Sequence, residues 1–287
     1  MTKTPTTPKK SNFQPSWAFI AAAGMGSRMR PLTDGRPKPM VEVCGHPILT
    51  HIFDHLKAGG IHDIVLNTHY KHSVIEDWLH SGAVDNALSV TAIYEPDLLD
   101  TGGGVQSAAT RLGRLDEAFV MVNGDAFWVN APSGSTNQST LQALCDQWDD
   151  TTMDILLLLQ PVASMALTGG SGDYAMTQNG GNKEPRPVRL SSKDGDLMFA
   201  GVRIVHPRVF EGRSIGKYSF LELMDAAEKK GRLAAHIHKG DWHHLSTPQD
   251  VKNVSAALGA DWRVGAAHSA PKSSPIPSPQ AQKIRVI

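Results

Sequence analysis

Residues Asp154–Gln160 read DILLLLQ, an unbroken aliphatic run closed at each end by a polar residue. A strand with one wet face alternates apolar and polar residues, and a helix needs a longer stretch to bury its stripe. So short a run, apolar at every interior position, suits a strand covered on both faces, as in parallel sheets layered between helices. Other segments fit the same sandwich. Trp17–Ala23 (WAFIAAA), Asp63–Thr68 (DIVLNT), Leu88–Glu95 and Ala118–Val122 read as strands. His46–Lys57 places Ile48, Leu49, Ile52, Phe53 and Leu56 on one helical face before Gly59 and Gly60 stop it, and His72–His80 reads as a short helix. This alternation predicts an α/β fold, Rossmann-like and doubly wound, with a mostly parallel sheet and helices on both faces.

After Gln160 the rhythm changes. Ala163–Gly195 is rich in Gly, Ser and Asn, with a short strand predicted at Tyr174–Thr177. A strand at Phe199–Val205, a helix at Tyr218–Lys230 and a strand at Leu233–His238 follow. Residues 17–160 and 161–262 are read as two halves of one α/β domain, with no internal repeat that would add a β-helix. Residues 1–16 and 263–287 are rich in Pro with Thr and Lys or Ser and Ala, and predict disordered ends. Lys plus Arg number 28 and Asp plus Glu number 28, so net charge gives no case for a nucleic-acid partner. No apolar run approaches the ~20 residues that span a bilayer, and the polar N-terminal stretch lacks the apolar core of a signal peptide. Cys44 and Cys145 are far apart and outside any CxxC pair, which predicts neither structural zinc nor a disulfide. The expectation is a cytoplasmic protein with no membrane partner.

Chemistry-bearing residues concentrate after the first strand, in GMGSRMRPLTDGRPKPM, Gly24–Met40. Gly24 and Gly26 let backbone N–H groups approach a polyphosphate, and Arg28, Arg30, Arg36 and Lys38 set four cations around the loop. A GxG pair alone also fits a tight turn. The dinucleotide fingerprint would require glycine at Met29, and the Walker A pattern is absent. The next segment, EPDLLDTGGGV (Glu95–Val105), puts three glycines before a helix predicted at Gln106–Leu112, either for close approach of a ligand or backbone or as a flexible turn. VNGD ends the fourth strand, so Asn123 and Asp125 fall where open α/β sheets bind ligands; a carboxylate there suits Mg²⁺, which takes oxygen ligands. His236 and His238 read as a surface pair, and most other histidines sit in polar helical or loop settings.

GMGSRMRPLT followed by PKPM resembles the signature of the sugar-1-phosphate nucleotidyltransferases, and the likeness extends from Trp17 to about Leu258. The resemblance implies that fold type, a nucleoside triphosphate and a sugar 1-phosphate as partners, and Mg²⁺ as cofactor. It assigns Gly24, Gly26, Ser27, Arg28, Lys38 and Asn123 to the nucleotide and Leu99, Thr101 and Gly102 to the base pocket. Arg28, Lys38 and Asp125 become the catalytic set, with Asp125 the metal ligand. LDTGGG, VNGD, GSGDYAM and FAGVRIV are similar to a narrower group, the N-acetylmuramate α-1-phosphate uridylyltransferases of peptidoglycan recycling. That likeness favours UTP and places Gly172, Asp173 and Gly201 near the sugar. Guanylyl transfer to mannose 1-phosphate, thymidylyl or uridylyl transfer to glucose 1-phosphate, cytidylyl transfer to a phosphorylated alcohol, and a weakly catalytic nucleotide-sugar sensor are the alternatives. One departure stands out. Where the family carries W-x-D-x-G-T-P, this chain reads WHHLSTP (Trp242–Pro248), with His244 in the place of a second metal carboxylate. Imidazole suits softer ions than Mg²⁺, so His244 is either a metal ligand or, the favoured reading, a hydrogen-bonding or phosphate-contacting residue.

Overall fold

In the computed structural model, residues 13–131, 138–177, 186–190, 194–264 and 283–287 are described. Ten strands share one sheet: β1 (Trp17–Ala21), β2 (Asp63–Thr68), β3 (Ser89–Tyr94), β4 (Phe119–Asn123), β5 (Ile155–Pro161), β6 (Tyr174–Thr177), β7 (Arg186–Arg189), β8 (Leu197–Val205), β9 (Leu233–Ile237) and β10 (Lys283–Val286). The path runs β7-β6-β8-β4-β1-β2-β3-β10, and β5 pairs with β8 and β9. β4, β1, β2, β3 and β10 are mutually parallel, as are β5 and β9. β8 runs antiparallel to β4 and β5, and β6 and β7 antiparallel to each other. The fold is the mostly parallel, doubly wound sheet expected.

Alternation along the strands feeds a separate core on each face. Ala18 and Ile20 of β1 join Ile64, Leu66, Leu156 and Leu158 on one face; Trp17 and Phe19 join Val65, Ile155, Leu157 and Leu159 on the other. Helices α1 (Ile48–Ala58), α2 (His72–His80), α4 (Thr140–Gln147) and α6 (Pro248–Leu258) cover the first face. Helices α3 (Asp100–Arg111) and α5 (Leu221–Lys229) cover the second. The STPQD segment starts α6: Thr247 and Asp250 form a reciprocal capping box with Pro248 at the first helical position.

The expected boundaries change in four places. α3 begins at Asp100 and includes all three glycines, six residues before the predicted start at Gln106. The predicted disordered end at 263 is corrected for Arg263, whose guanidinium clamps Asp54 at 2.7 and 2.8 Å, and for Lys283–Val286, which adds β10. At the other end, Phe13 packs on Trp148 and Gln14 donates to the Gly59 carbonyl, so the ordered chain begins before Trp17; residues 1–12 and 265–282 of the two predicted tails lie outside the described residues. The histidine expectation is also corrected. His51 and His55 are buried on α1 and His238 is buried beyond β9, while His236 is half-buried and bonded to Gln147. Both cysteines are buried and free. Among the described residues no helix is long and apolar enough to cross a membrane.

Candidate active site

Because β2, β1 and β4 are parallel, their C-terminal ends open on the same side of the sheet. Asn67, Ala21 and Asn123 are cross-strand partners there. All three line a cavity of about 320 Å³, together with Gly24, Gly26, Ser27, Arg28, Lys38, Leu98, Asp100, Thr101, Gly124 and Asp125. Its floor is the topological position at which open α/β sheets take ligands.

The loop after β1 is pinned from beneath. Met29 is buried in the short 3₁₀ turn Ser27–Met29, and Thr33 Oγ1 donates to the Gly26 carbonyl at 3.0 Å. Gly26 has φ 61, and a Cβ there would lie 2.8 Å from Lys38 Cβ, so the position demands glycine. A Cβ on Gly24 would meet nothing within 4 Å, which leaves its backbone open to the cavity. Of the four cations, Arg28 and Lys38 line the cavity. Arg30 pairs outward with Asp34 and Arg36 with Glu42.

Lys38 Nζ lies 2.6 Å from Asp125 Oδ2. The backbone that carries Asp125 is fixed by Gly124, whose N–H donates to the Ala21 carbonyl at 2.9 Å and whose Cβ, if present, would sit 2.7 Å from that oxygen. Asn67 Oδ1 accepts from Ala22 N–H at 2.8 Å, and its Nδ2 donates to Glu95 Oε1 at 2.7 Å. Glu95 is buried, which raises its carboxyl pKa, and its other oxygen accepts from Leu99 N–H. This Glu95–Asn67–Ala22 chain ties the wall after β3 to the loop after β1. Sequence reasoning missed it; the one available signal was that Asn67 and Asn123 both close apolar strands.

The three glycines serve the chain's own backbone. Gly102 and Gly103 N–H groups donate to the Tyr218 carbonyl, and Tyr218 N–H donates to Leu99 O. A Cβ at Gly103 would lie 1.9 Å from Gly216 O, one at Gly102 2.3 Å from the Tyr218 ring, and one at Gly104 2.5 Å from Glu95 Oε1. Thr101 lines the cavity together with Leu98 and Asp100, while Leu99 and Gly102 lie outside the lining. Gly201 packs beneath Asn123. Gly172 and Asp173 are held instead in backbone pairing with Gly195, Leu190 and Leu197, outside the cavity lining. His244 also lies outside that lining: its ring stacks on Trp242 at 5.6 Å, and its N–H donates to Thr168. Among the described residues no three His, Cys, Asp or Glu gather to hold a metal.

Residues 17–149 match the family model described as nucleotidyl transferase. The chain is 29% identical over 248 residues to an N-acetylmuramate alpha-1-phosphate uridylyltransferase of Caulobacter vibrioides, covering 85% of this chain and 97% of that protein. It is 30% identical over 252 residues to the Neisseria meningitidis serogroup B protein of the same name, covering 86% and 99%. The UTP-bound UGPase from Acinetobacter baumannii shares the fold, with a TM-score of 0.67 at 16% identity over 85% of this chain and 94% of that one. Matched along nearly the whole length of two such proteins, this chain belongs to the nucleotidyl transferase family and is a sugar-1-phosphate nucleotidyltransferase.

Proposed function

We propose that the chain transfers the uridylyl group of UTP to N-acetylmuramic acid α-1-phosphate in a Mg²⁺-dependent reaction that releases pyrophosphate. The observation that carries the chemistry is the convergence of Arg28, Lys38 and Asp125 with the open backbone at Gly24 on one cavity. The choice of UTP and of this acceptor rests on likeness to two proteins named for that reaction, over 97% and 99% of their lengths.

An oxygen of the sugar phosphate bonds to the α-phosphorus. The bond from that phosphorus to the α–β bridging oxygen breaks, and its electron pair leaves with pyrophosphate. The attacking group is already anionic, so no general base is called for; the residues act by positioning and by neutralising charge. Arg28, which lines the cavity, takes the leaving pyrophosphate, and Lys38 the α-phosphate. The donor set fits Mg²⁺, which keeps several waters and uses one or two carboxylates with substrate phosphates. Asp100 and Asp125 are the cavity's carboxylates, each with one oxygen already engaged, Asp100 Oδ1 by the N–H of Thr101 and Asp125 Oδ2 by Lys38; Asp125, beside the lysine assigned to the α-phosphate, would hold the ion through its other oxygen. When bound, Mg²⁺ neutralises and templates phosphate oxygens.

The test is pyrophosphate release with Mg²⁺ across UTP, GTP, dTTP, CTP and ATP against N-acetylmuramic acid, mannose and glucose 1-phosphates. Turnover confined to UTP with the first acceptor, abolished by chelation, is the expected result. Turnover with another pair overturns the substrate choice, and turnover that survives chelation overturns the metal.

A further inference from the structure

β8 changes register midway. Its pairing with β5 holds at Leu197–Phe199 and again at Arg203–Val205, with a shift between, and Gly201 inside the shift has φ 78. An irregularity of this kind re-aims the side chains beside it. Here it delivers Arg203, 3% exposed, into the interior behind the cavity. The guanidinium lies 4.3 Å from the Phe220 ring centroid and 5.0 Å from that of Phe199. Its Nη1 contacts Met224 Sδ at 3.6 Å, its Nη2 donates to Asn123 Oδ1 at 2.7 Å, and its Nε has no partner. Among the described residues no carboxylate balances it. A buried guanidinium stays charged and is costly without a counter-charge; two aromatic faces and one amide oxygen offset this only in part.

The arrangement reaches the cavity through Asn123, which lines it. With Oδ1 engaged by Arg203, the Asn123 Nδ2 group lies on the side of Gly201, where a Cβ would come within 3.4 Å of it. The cavity has a middle and two ends. The loop after β1 occupies the middle, Asn67, Leu98, Asp100 and Thr101 stand over β2 and β3, and Asn123–Asp125 stand over β4, the neighbour of β8. Arg203 therefore backs the end away from the wall after β3.

We infer that Arg203 is a positioning residue for the sugar 1-phosphate: it fixes the Asn123 side chain at the cavity end over β4, and the acceptor bound there balances the buried charge with its phosphate across Asn123. The inference rests on the nucleotidyl-transfer reading and not on which sugar is used. It is tested with R203M and R203K, measuring KM for each substrate and kcat by pyrophosphate release with the acceptor that the substrate panel selects, and repeating both substitutions in an N123A background. R203M should raise the acceptor KM about tenfold or more with the triphosphate KM changed less than twofold, R203K should recover part of the loss, and N123A should abolish the difference between Arg and Met. Calorimetric binding of the sugar 1-phosphate, which needs no turnover, should weaken in parallel. Equal rises in both KM values, or a loss of undiminished size in N123A, would overturn the inference. If R203M does not fold, R203K decides on the same readouts. A protein silent across the panel but showing the calorimetric loss in R203M would leave the positioning role standing and sink the reaction reading.

Discussion

Lys38 and Asp125 stand 87 positions apart in sequence and 2.6 Å apart in space, and the residue-scale question is why the pair forms at the cavity. Pro39 and Gly124 are the agents: Gly124 fits under the Pro39 ring, where a Cβ would come within 2.9 Å. K38A and D125A should each lower turnover by about 10²-fold or more, the magnitude of one electrostatic contact, while far-UV circular dichroism stays that of the parent. Turnover within a few-fold of the parent in either variant would remove that residue from the chemistry. These residues, with Gly24–Arg28, were legible because phosphate chemistry demands a glycine loop, cations and a carboxylate in a recognisable order. Asn67 and Glu95 were not, because a lone polar residue closing a strand resembles any other strand end. Arg203 sits in FAGVRIV, a strand covered on both faces, where periodicity cannot distinguish an inward side chain from an outward one.

At the scale of elements, local propensity misplaced the start of α3. Glycine is among the poorest helix formers, yet Gly102 and Gly103 lie in the first turn because Gly216–Phe220 needs the space, and Gly104 follows because the side chains of Glu95 and Asn67 do. Two of the glycines that read as a ligand-facing turn, Gly102 and Gly103, thus dock the second half of the chain onto the first. β10 was hidden for another reason: KIRV is four residues long and follows a Pro/Ser-rich stretch, so its composition resembled the tail around it. The strand nonetheless covers the edge of β3, with Ile284 packed on one core and Ile287 on the other. Deleting residues 283–287 should cost roughly 2 kcal/mol in urea unfolding, the scale of exposing two partly buried isoleucines, and should bare an edge that promotes self-association. Light scattering across a concentration series reads the second effect. A monomer as stable as the parent would show that β10 is dispensable.

For the whole molecule, the first core face carries a set of buried imidazoles. Burial depresses His51 and His243, and pushes His55 down to about 3 and His238 to about 4. His55 stacks on Trp128 at 3.9 Å, and burial holds it neutral even though its bond to the Trp128 carbonyl favours the charged ring. The ordinary value is 6.5, and the unfolded chain therefore takes up protons that the folded chain refuses. Stability is complete above about pH 7 and is lost as the pH falls through 6.5 toward the depressed folded values. At pH 5, His55 and His238 should each remove about 2 kcal/mol. Urea midpoints at pH 8, 6.5 and 5 check this, and a midpoint unchanged at pH 5 would refute it. Chain order carries a last consequence. β3 leaves the ribosome long before β10, which follows every other strand of the sheet. Until then the growing protein shows an unpaired parallel border at β3, open to a chaperone or to another nascent chain.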